Sequence, residues 1–165
     1  MQGSSPAGLT AIAPRATDRR VNASELRVVA AGDERLRQQA YGIRRRVFIE
    51  EQGVPAAIEL DEDDPRAFHV VALAGEQCVG CARMVPHREY VKIGRMAVER
   101  EWRGQGVGRR LLDFMLQHAR ALGYRRAILH AQLHAEGFYL KAGFAPVGGV
   151  FDEAGIPHRR MELDL

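Results

Sequence analysis

The chain predicts a single α+β domain, one mixed and twisted central sheet flanked by helices. Three observations predict it. Short strand-like runs alternate with helical stripes, as where Tyr90 to Val98 is followed by Val107, Leu111, Leu112, Met115, Leu116, Ala119 and Leu122 at helical spacing. Two further runs, Ala67 to Leu73 and Cys78 to Val85, are joined by the turn Ala74-Gly75-Glu76-Gln77 and read as a hairpin. A length of 165 residues supports one proper core and not two.

Residues 1–24 are rich in Gly, Ser, Pro, Ala, Thr and Arg and carry no periodic apolar face. We expect a disordered or loosely attached tail there, and a domain over residues 25–165. Arg15, Arg19 and Arg20 give the tail a faint transit-peptide character that Pro14 interrupts, and Asn22-Ala23-Ser24 is formally a glycosylation acceptor. Glu25 to Ala30 reads as the first strand. Asp33 is placed to cap the next helix, whose buried stripe is Leu36, Ala40, Ile43 and Val47. Arg44-Arg45-Arg46 reads as a solvated helix face with one arginine turned inward to an acid. Phe48 to Gly53 should end this helix, since Pro55 prevents continuation. Beyond the second helix, Arg126 to His130 reads as a strand and Ala135 to Ala142 as a short helix ended by Gly143. Phe144 to Phe151 and Ile156 to Leu163 form a closing hairpin about Asp152-Glu153-Ala154-Gly155.

Composition excludes several classes of function. With 24 basic against 21 acidic residues, the net charge is +3, which suits a polyanionic cofactor. The arginines are not interleaved with aromatics and no nucleic-acid motif appears, so nucleic acid is not an expected partner. No apolar run approaches the ~20 residues of a membrane span. Cys78 and Cys81 tempt one toward metal or redox chemistry. On a regular strand, residues three apart face opposite ways, roughly 10 Å apart, and no second pair completes a zinc site. We expect small buried residues in a reducing cytoplasm.

The chemistry concentrates in Arg103-Gly104-Gln105-Gly106-Val107-Gly108. A strand, a glycine-rich turn and a helix N-terminus together make an anion site. The glycines admit close backbone approach, and the first helical N–H groups lack intrahelical partners. A Walker loop fails because Gly108 is followed by Arg109-Arg110, and the dinucleotide fingerprint fails because its third glycine comes one residue early. Arg-x-x-Gly-x-Gly fits. This loop resembles the pyrophosphate loop of the GNAT superfamily of acetyl-CoA-dependent N-acetyltransferases.

Further stretches make the resemblance specific. His130 to Phe144 is similar to the superfamily's last helix, with its Ala-x-x-x-Tyr-x-x-x-Gly-Phe core. Arg44 to Gln52, Glu59-Leu60-Asp61-Glu62-Asp63-Asp64, Gly155 to His158 and Arg160-Met161 resemble signatures of the YjcF/ElaA-like branch. The resemblance covers about residues 25–165 and implies a GNAT-like fold. It implies that main-chain groups of Arg103, Gly104, Gln105, Gly106, Val107 and Gly108, with the side chain of Arg103 and flanking Arg109, hold the pyrophosphate. Met96, Ala97 and Val98 would pair with pantetheine, the Val98 amide polarising the thioester carbonyl, and Gln132 stands where many members have an Asn that contacts pantetheine. Tyr139 matches the general acid for the departing thiolate.

The base is open, because no acid lies on Tyr90 to Val98. For His130 a base, a structural hydrogen bonder and a metal ligand are all open readings; we expect no metal. Glu59, Asp61 and Asp64 read either as a solvated acidic loop or as carboxylates at the acceptor mouth. We expect them to recruit a cationic amine whose proton His130 receives through water. The expected activity moves acetyl from acetyl-CoA to a small-molecule or peptide primary amine by direct attack in a ternary complex, in the cytoplasm. An acyl-homoserine-lactone-synthase-like acyltransferase and a non-catalytic CoA-binding sensor are the alternatives, and a homodimer is allowed for.

Overall fold

The apolar, β-branched run after Glu25 gives strand β1, Leu26–Ala30, the first element of the computed structural model, which describes residues 25–165. The tail, its sequon and its transit-peptide features lie outside those residues. Asp33 caps helix α1 (Glu34–Arg44), its carboxylate accepting the Leu36 amide at 2.8 Å. Leu36, Ala40, Ile43 and Val47 are buried as expected, and so is Arg44, only 1% exposed. Lying four residues beyond Ala40, Arg44 shares the buried stripe. The chain then widens into a π-helical segment, Arg45–Glu51, where the sequence suggested a simple helix end. Such turns are rare and gather at functional sites. A short helix α2 follows, Ala56–Glu59.

The remaining strands are β2 (Phe68–Ala74), β3 (Gln77–Pro86), β4 (Val91–Val98), β5 (Arg126–Gln132), β6 (Ala145–Glu153) and β7 (Ile156–Asp164). They form one sheet in the order β1-β2-β3-β4-β5-β7-β6. Neighbours are antiparallel except β4 and β5, which run parallel. Helix α3 (Val107–Ala121) packs Val107, Leu111, Leu112, Met115, Leu116 and Ala119 on one face of the sheet. Leu122, expected on that stripe, is 60% exposed because the helix stops at Ala121. Helix α1 covers the opposite face over Val71, Leu73 and Ala97.

Gly80 seats α3 closely. A Cβ there would lie 3.0 Å from Val107 Cγ1 and 3.1 Å from Leu111 Cδ1. Gly80 belongs to a bulge: Ala72 pairs with Gly80 but Leu73 with Cys78, leaving Val79 extra. The bulge corrects the reading of the cysteines. Cys78 and Cys81 share the α1 side of the sheet, because the extra residue restores their common face. Both are free and buried. Burial pushes the Cys78 thiol up to about 11 and Cys81 further still, so neither is nucleophilic at neutral pH.

After β5, Leu133–Ala135 makes one tight turn and α4 spans Glu136–Lys141. The closing hairpin turns in two residues, Ala154 (φ 55°) and Gly155 (φ 75°), the pattern of a type I′ turn. This is tighter than the four-residue turn expected. It returns Asp152 and Glu153 to β6.

Candidate active site

A second bulge opens the sheet. Cys81 pairs with Ala97 but Arg83 with Gly94, so an extra residue sits in β4 around Arg95 and Met96. Arg95 has a left-handed backbone, φ 50°, which costs a non-glycine residue roughly 1–2 kcal/mol. Its guanidinium holds it there, donating to Ile58 O at 3.2 Å, Glu59 O at 3.0 Å and Asp61 Oδ2 at 3.2 Å. The bulge bends β4 off its parallel neighbour. Pairing with β5 runs only from Val91 to Ile93 against Ala127 to Leu129, and beyond it the strands diverge. A cleft of about 960 Å³ fills the divergence, lined on one side by Arg95 to Val98 and on the other by His130 and Gln132.

The upper end of β4 presents backbone to this cleft. The Glu99 amide donates to Val79 O on β3 at 2.9 Å, and successive residues of a ladder alternate edges. Val98 therefore faces the gap. Arg103 Nε donates to its carbonyl at 2.9 Å, leaving the Val98 amide directed at anything bound between the strands.

The glycine loop closes the same end. Gly104 (φ 73°) and Gly106 (φ 82°) are left-handed, and Gly106 caps α3 without a side chain. The first intrahelical bond runs from Arg110 N to Gly106 O at 3.1 Å. The amides of Val107, Gly108 and Arg109 are thus the unpartnered first turn of a helix, suited to an anion. A Cβ on Gly108 would meet Phe138 and Val98 only at ordinary distances, 3.6 to 3.9 Å. Loop side chains are partly engaged. Arg103 Nη2 donates to Glu51 at 3.0 and 3.1 Å, Arg109 pairs with Asp113 at 2.9 Å, and Gln105 donates to Glu101 O at 2.8 Å. Arg103 thus serves here as a strap that fixes the end of β4, where the sequence suggested a phosphate ligand. The loop offers a diphosphate its main chain.

Tyr139 reaches into the cleft from α4. Its hydroxyl donates to Met96 Sδ at 3.4 Å, and the ring meets Phe138 and Phe144 edge-on. Desolvation pushes this phenol up to about 12, so it keeps its proton throughout the neutral range. Gln132 and Gln52 exchange amide hydrogen bonds of 2.8 and 3.2 Å across the cleft. His130 Nδ1 lies 3.0 Å from Glu153 Oε1, and His158 Nε2 lies 3.6 Å from Glu153 Oε2. A carboxylate on Nδ1 fixes the tautomer and makes Nε2 the basic nitrogen. The His130 hydrogen bond in turn holds Glu153 below the usual carboxylate range. The sequence reading assigned Glu153 to a turn and missed it.

The acidic stretch needs correcting. Glu59 and Asp64 are buried, 3% and 6% exposed, and do not stand at a mouth. Arg44 is the reason: Nε meets Glu59 Oε1 at 2.5 Å and Nη1 meets Asp64 Oδ1 at 2.6 Å. Arg83 adds bonds of 2.6 Å to Asp61 and 2.9 Å to Asp64. Burial opposes the ionised form of Asp64, yet hydrogen bonds from Arg44, the Asp61 amide and Arg83 outweigh it and hold the carboxyl far below its usual range. Asp61 alone of the three lines the cleft partly exposed, and Arg83 hydrogen bonds keep it ionised. This charge-balanced cluster anchors Arg95 and hence the bulge. No free acidic attractant remains in it.

A bent strand, a glycine-capped helix and a cleft between diverging parallel strands define an acyltransferase of the GNAT fold. The model of the acetyltransferase (GNAT) domain matches residues 12–165, and the chain belongs to that family. It falls in the YjcF/ElaA-like branch. It is 36% identical over 138 residues to the uncharacterized N-acetyltransferase YjcF of Bacillus subtilis (strain 168), covering 83% of this chain and 98% of YjcF. The crystal structure of Escherichia coli ElaA superposes with a TM-score of 0.73 at 29% identity, covering 84% of this chain and 97% of ElaA. A GNAT family acetyltransferase from Elizabethkingia anophelis, crystallised with acetyl-CoA bound, shares the fold at TM-score 0.66 and 17% identity, over 86% of this chain and 99% of that one. Among the described residues no helix is long and apolar enough to cross a membrane.

Proposed function

We propose that the protein is an acetyl-CoA-dependent N-acetyltransferase acting on a primary amine in a ternary complex. The observation that carries this reading is the divergence of β4 from β5 directly beside the uncapped amides of α3. One wall offers backbone to an extended amide chain and the other end offers N–H groups to its diphosphate, which is the shape of CoA. The acetyl-CoA seen in the Elizabethkingia anophelis protein supports the same assignment. Acetyl-CoA, when bound, supplies an activated acetyl group and a thiolate leaving group.

The chain's own residues do the rest. The Val98 amide donates to the thioester carbonyl as negative charge grows on oxygen. His130, held by Glu153, takes a proton from the incoming ammonium, because an alkyl amine of pKa ~10.4 is almost wholly protonated at neutral pH. The neutral nitrogen then forms the C–N bond while the C–S bond breaks. Tyr139 gives its proton to the departing sulfur and recovers one from water, and the second nitrogen proton leaves to solvent.

Incubating the protein with acetyl-CoA and a panel of amines, and following free CoA thiol, tests the reading. Thiol should appear only when an amine is present, and initial rates at varied concentrations should give intersecting lines. Parallel lines would point to an acetylated enzyme instead, and amine-independent binding without thiol release to a sensor.

A further inference from the structure

The cleft's charges, taken one by one, describe its acceptor. Five Lys or Arg side chains line it: Arg83, Lys92, Arg95, Arg103 and Arg109. Four of these are paired with carboxylates. Arg83 and Arg95 hold Asp61 at 2.6 and 3.2 Å, Arg103 holds Glu51 at 3.0 Å, and Arg109 holds Asp113 at 2.9 Å. The lining carboxylates are engaged too: Glu59 by Arg44, Asp61 by Arg83, Asp63 by Arg66 at 2.7 Å, and Glu153 by the His130 ring. Among the described residues, Lys92 is the one lining cation with neither an ion pair nor a hydrogen bond. It is half-buried, and unpaired charge is costly there unless something arrives to meet it.

Its position is also informative. Lys92 pairs with Ile128 across the parallel ladder, and His130 lies two residues further along β5 on the same face. Strand spacing and rise put their Cα atoms about 8 Å apart. Lys92 acts on Glu153 only through space and with smaller effect than His130 and His158, forming no ion pair with it. The acceptor half of the cleft therefore presents a proton-accepting pair, His130 and Glu153, and, on the neighbouring strand of the same face, an ammonium without an ion pair. An amine that also carries a carboxylate fits both ends.

We propose that the acceptor is an amino acid or a compound of amino-acid type, whose carboxylate is held by the Lys92 ammonium while its amine faces His130. The proposal rests on the N-acetyltransferase reading above. Its chemistry is that reaction: the amino nitrogen gains the acetyl carbon, sulfur leaves with the C–S electron pair and takes a proton, and the products are an N-acetyl amino acid and CoA thiol. It also replaces the expectation from the sequence that carboxylates recruit a cationic amine.

The test compares each common L-amino acid with its decarboxylated amine and its carboxamide, with acetyl-CoA in excess and free thiol as readout. At least one amino acid should exceed its own amine in kcat/KM by about tenfold to a hundredfold, the scale of one charge-assisted hydrogen bond. Lys92→Gln should raise KM for that amino acid by a similar factor, leave kcat within about threefold, and bring amine and amino acid level. Thermal stabilisation by acetyl-CoA should be the same in both proteins. Amines outperforming amino acids, a preference that survives Lys92→Gln, or no amino acid turned over although acetyl-CoA binds would each overturn the proposal. Failure of acetyl-CoA to bind wild-type protein would instead overturn the donor assignment beneath it.

Discussion

Tyr139→Phe should lower kcat by about a hundredfold or more and leave acetyl-CoA affinity nearly unchanged, the scale of a lost general acid. The argument rests on where the phenol sits. Its proton points at Met96 Sδ, a weak acceptor on the strand that bears Val98, so the hydroxyl gives up little when a better acceptor arrives. Its acidity of about 12 looks poor for protonating a thiolate. The same desolvation, however, raises the basicity of any thiolate expelled beside it. The loss should be largest for acceptors whose leaving-group step limits the rate. His130→Gln complements it: kcat should fall there too, with acetyl-CoA affinity again nearly unchanged, because the group that receives the ammonium proton is lost. Full activity in the phenylalanine variant would return Tyr139 to the aromatic cluster with Phe138 and Phe144.

Arg44→Met costs about 3–5 kcal/mol of stability, the price of removing one partner from a buried ion pair. The side chain is 1% exposed and satisfies Glu59 and Asp64 together; once it is gone Glu59 keeps Arg95 at 3.7 Å, and Asp64 keeps Arg83 and the Asp61 amide, each at 2.9 Å. Denaturant unfolding at neutral pH measures the loss. The pH dependence has a definite sign. Asp61 and Asp64 are depressed in the folded state, so their contribution is fully present above the ordinary carboxylate range and is lost as pH falls through their folded values. Without Arg44, Asp64 titrates higher, and acid unfolding should begin at higher pH than in wild type. Adding Glu59→Gln and Asp64→Asn should restore part of the stability, since no buried charge is then left alone. A loss under about 1 kcal/mol would mean that water or rearrangement replaces Arg44.

Residue chemistry explains what was legible before the fold was known. Strand and helix periods placed every strand and the long helix to within a few residues: α3 buries one clear face, β2 and β3 are apolar runs buried on both faces, and the exposed β6 is marked off by the turn that follows it. The glycine loop was legible because left-handed backbone at Gly104 and Gly106 is written as glycine. Arg44 was half legible: one arginine of Arg44-Arg45-Arg46 was expected to turn inward to an acid, but neither which arginine nor which acid was assigned. The bulges were not legible. Arg95 adopts a left-handed backbone without being glycine, held by Ile58, Glu59 and Asp61, some 34 to 37 residues away in sequence. For the same reason Glu153, Gln52 and Lys92 escaped notice: their roles come from strands brought together by the sheet order, not from any local pattern.

The most direct measurement of the central claim is the melting temperature of wild-type protein and of Gly106→Asp with acetyl-CoA, ATP and NAD. At a hundredfold over its dissociation constant, acetyl-CoA should stabilise the wild type by about 2.7 kcal/mol, while ATP and NAD at that concentration do little. In Gly106→Asp the shift should vanish, since a carboxylate would stand at the N-terminus of α3 where phosphate must approach and the left-handed backbone would resist it. Equal stabilisation by ATP, or an acetyl-CoA shift that survives the substitution, would contradict the placement of CoA between β4, β5 and the glycine loop.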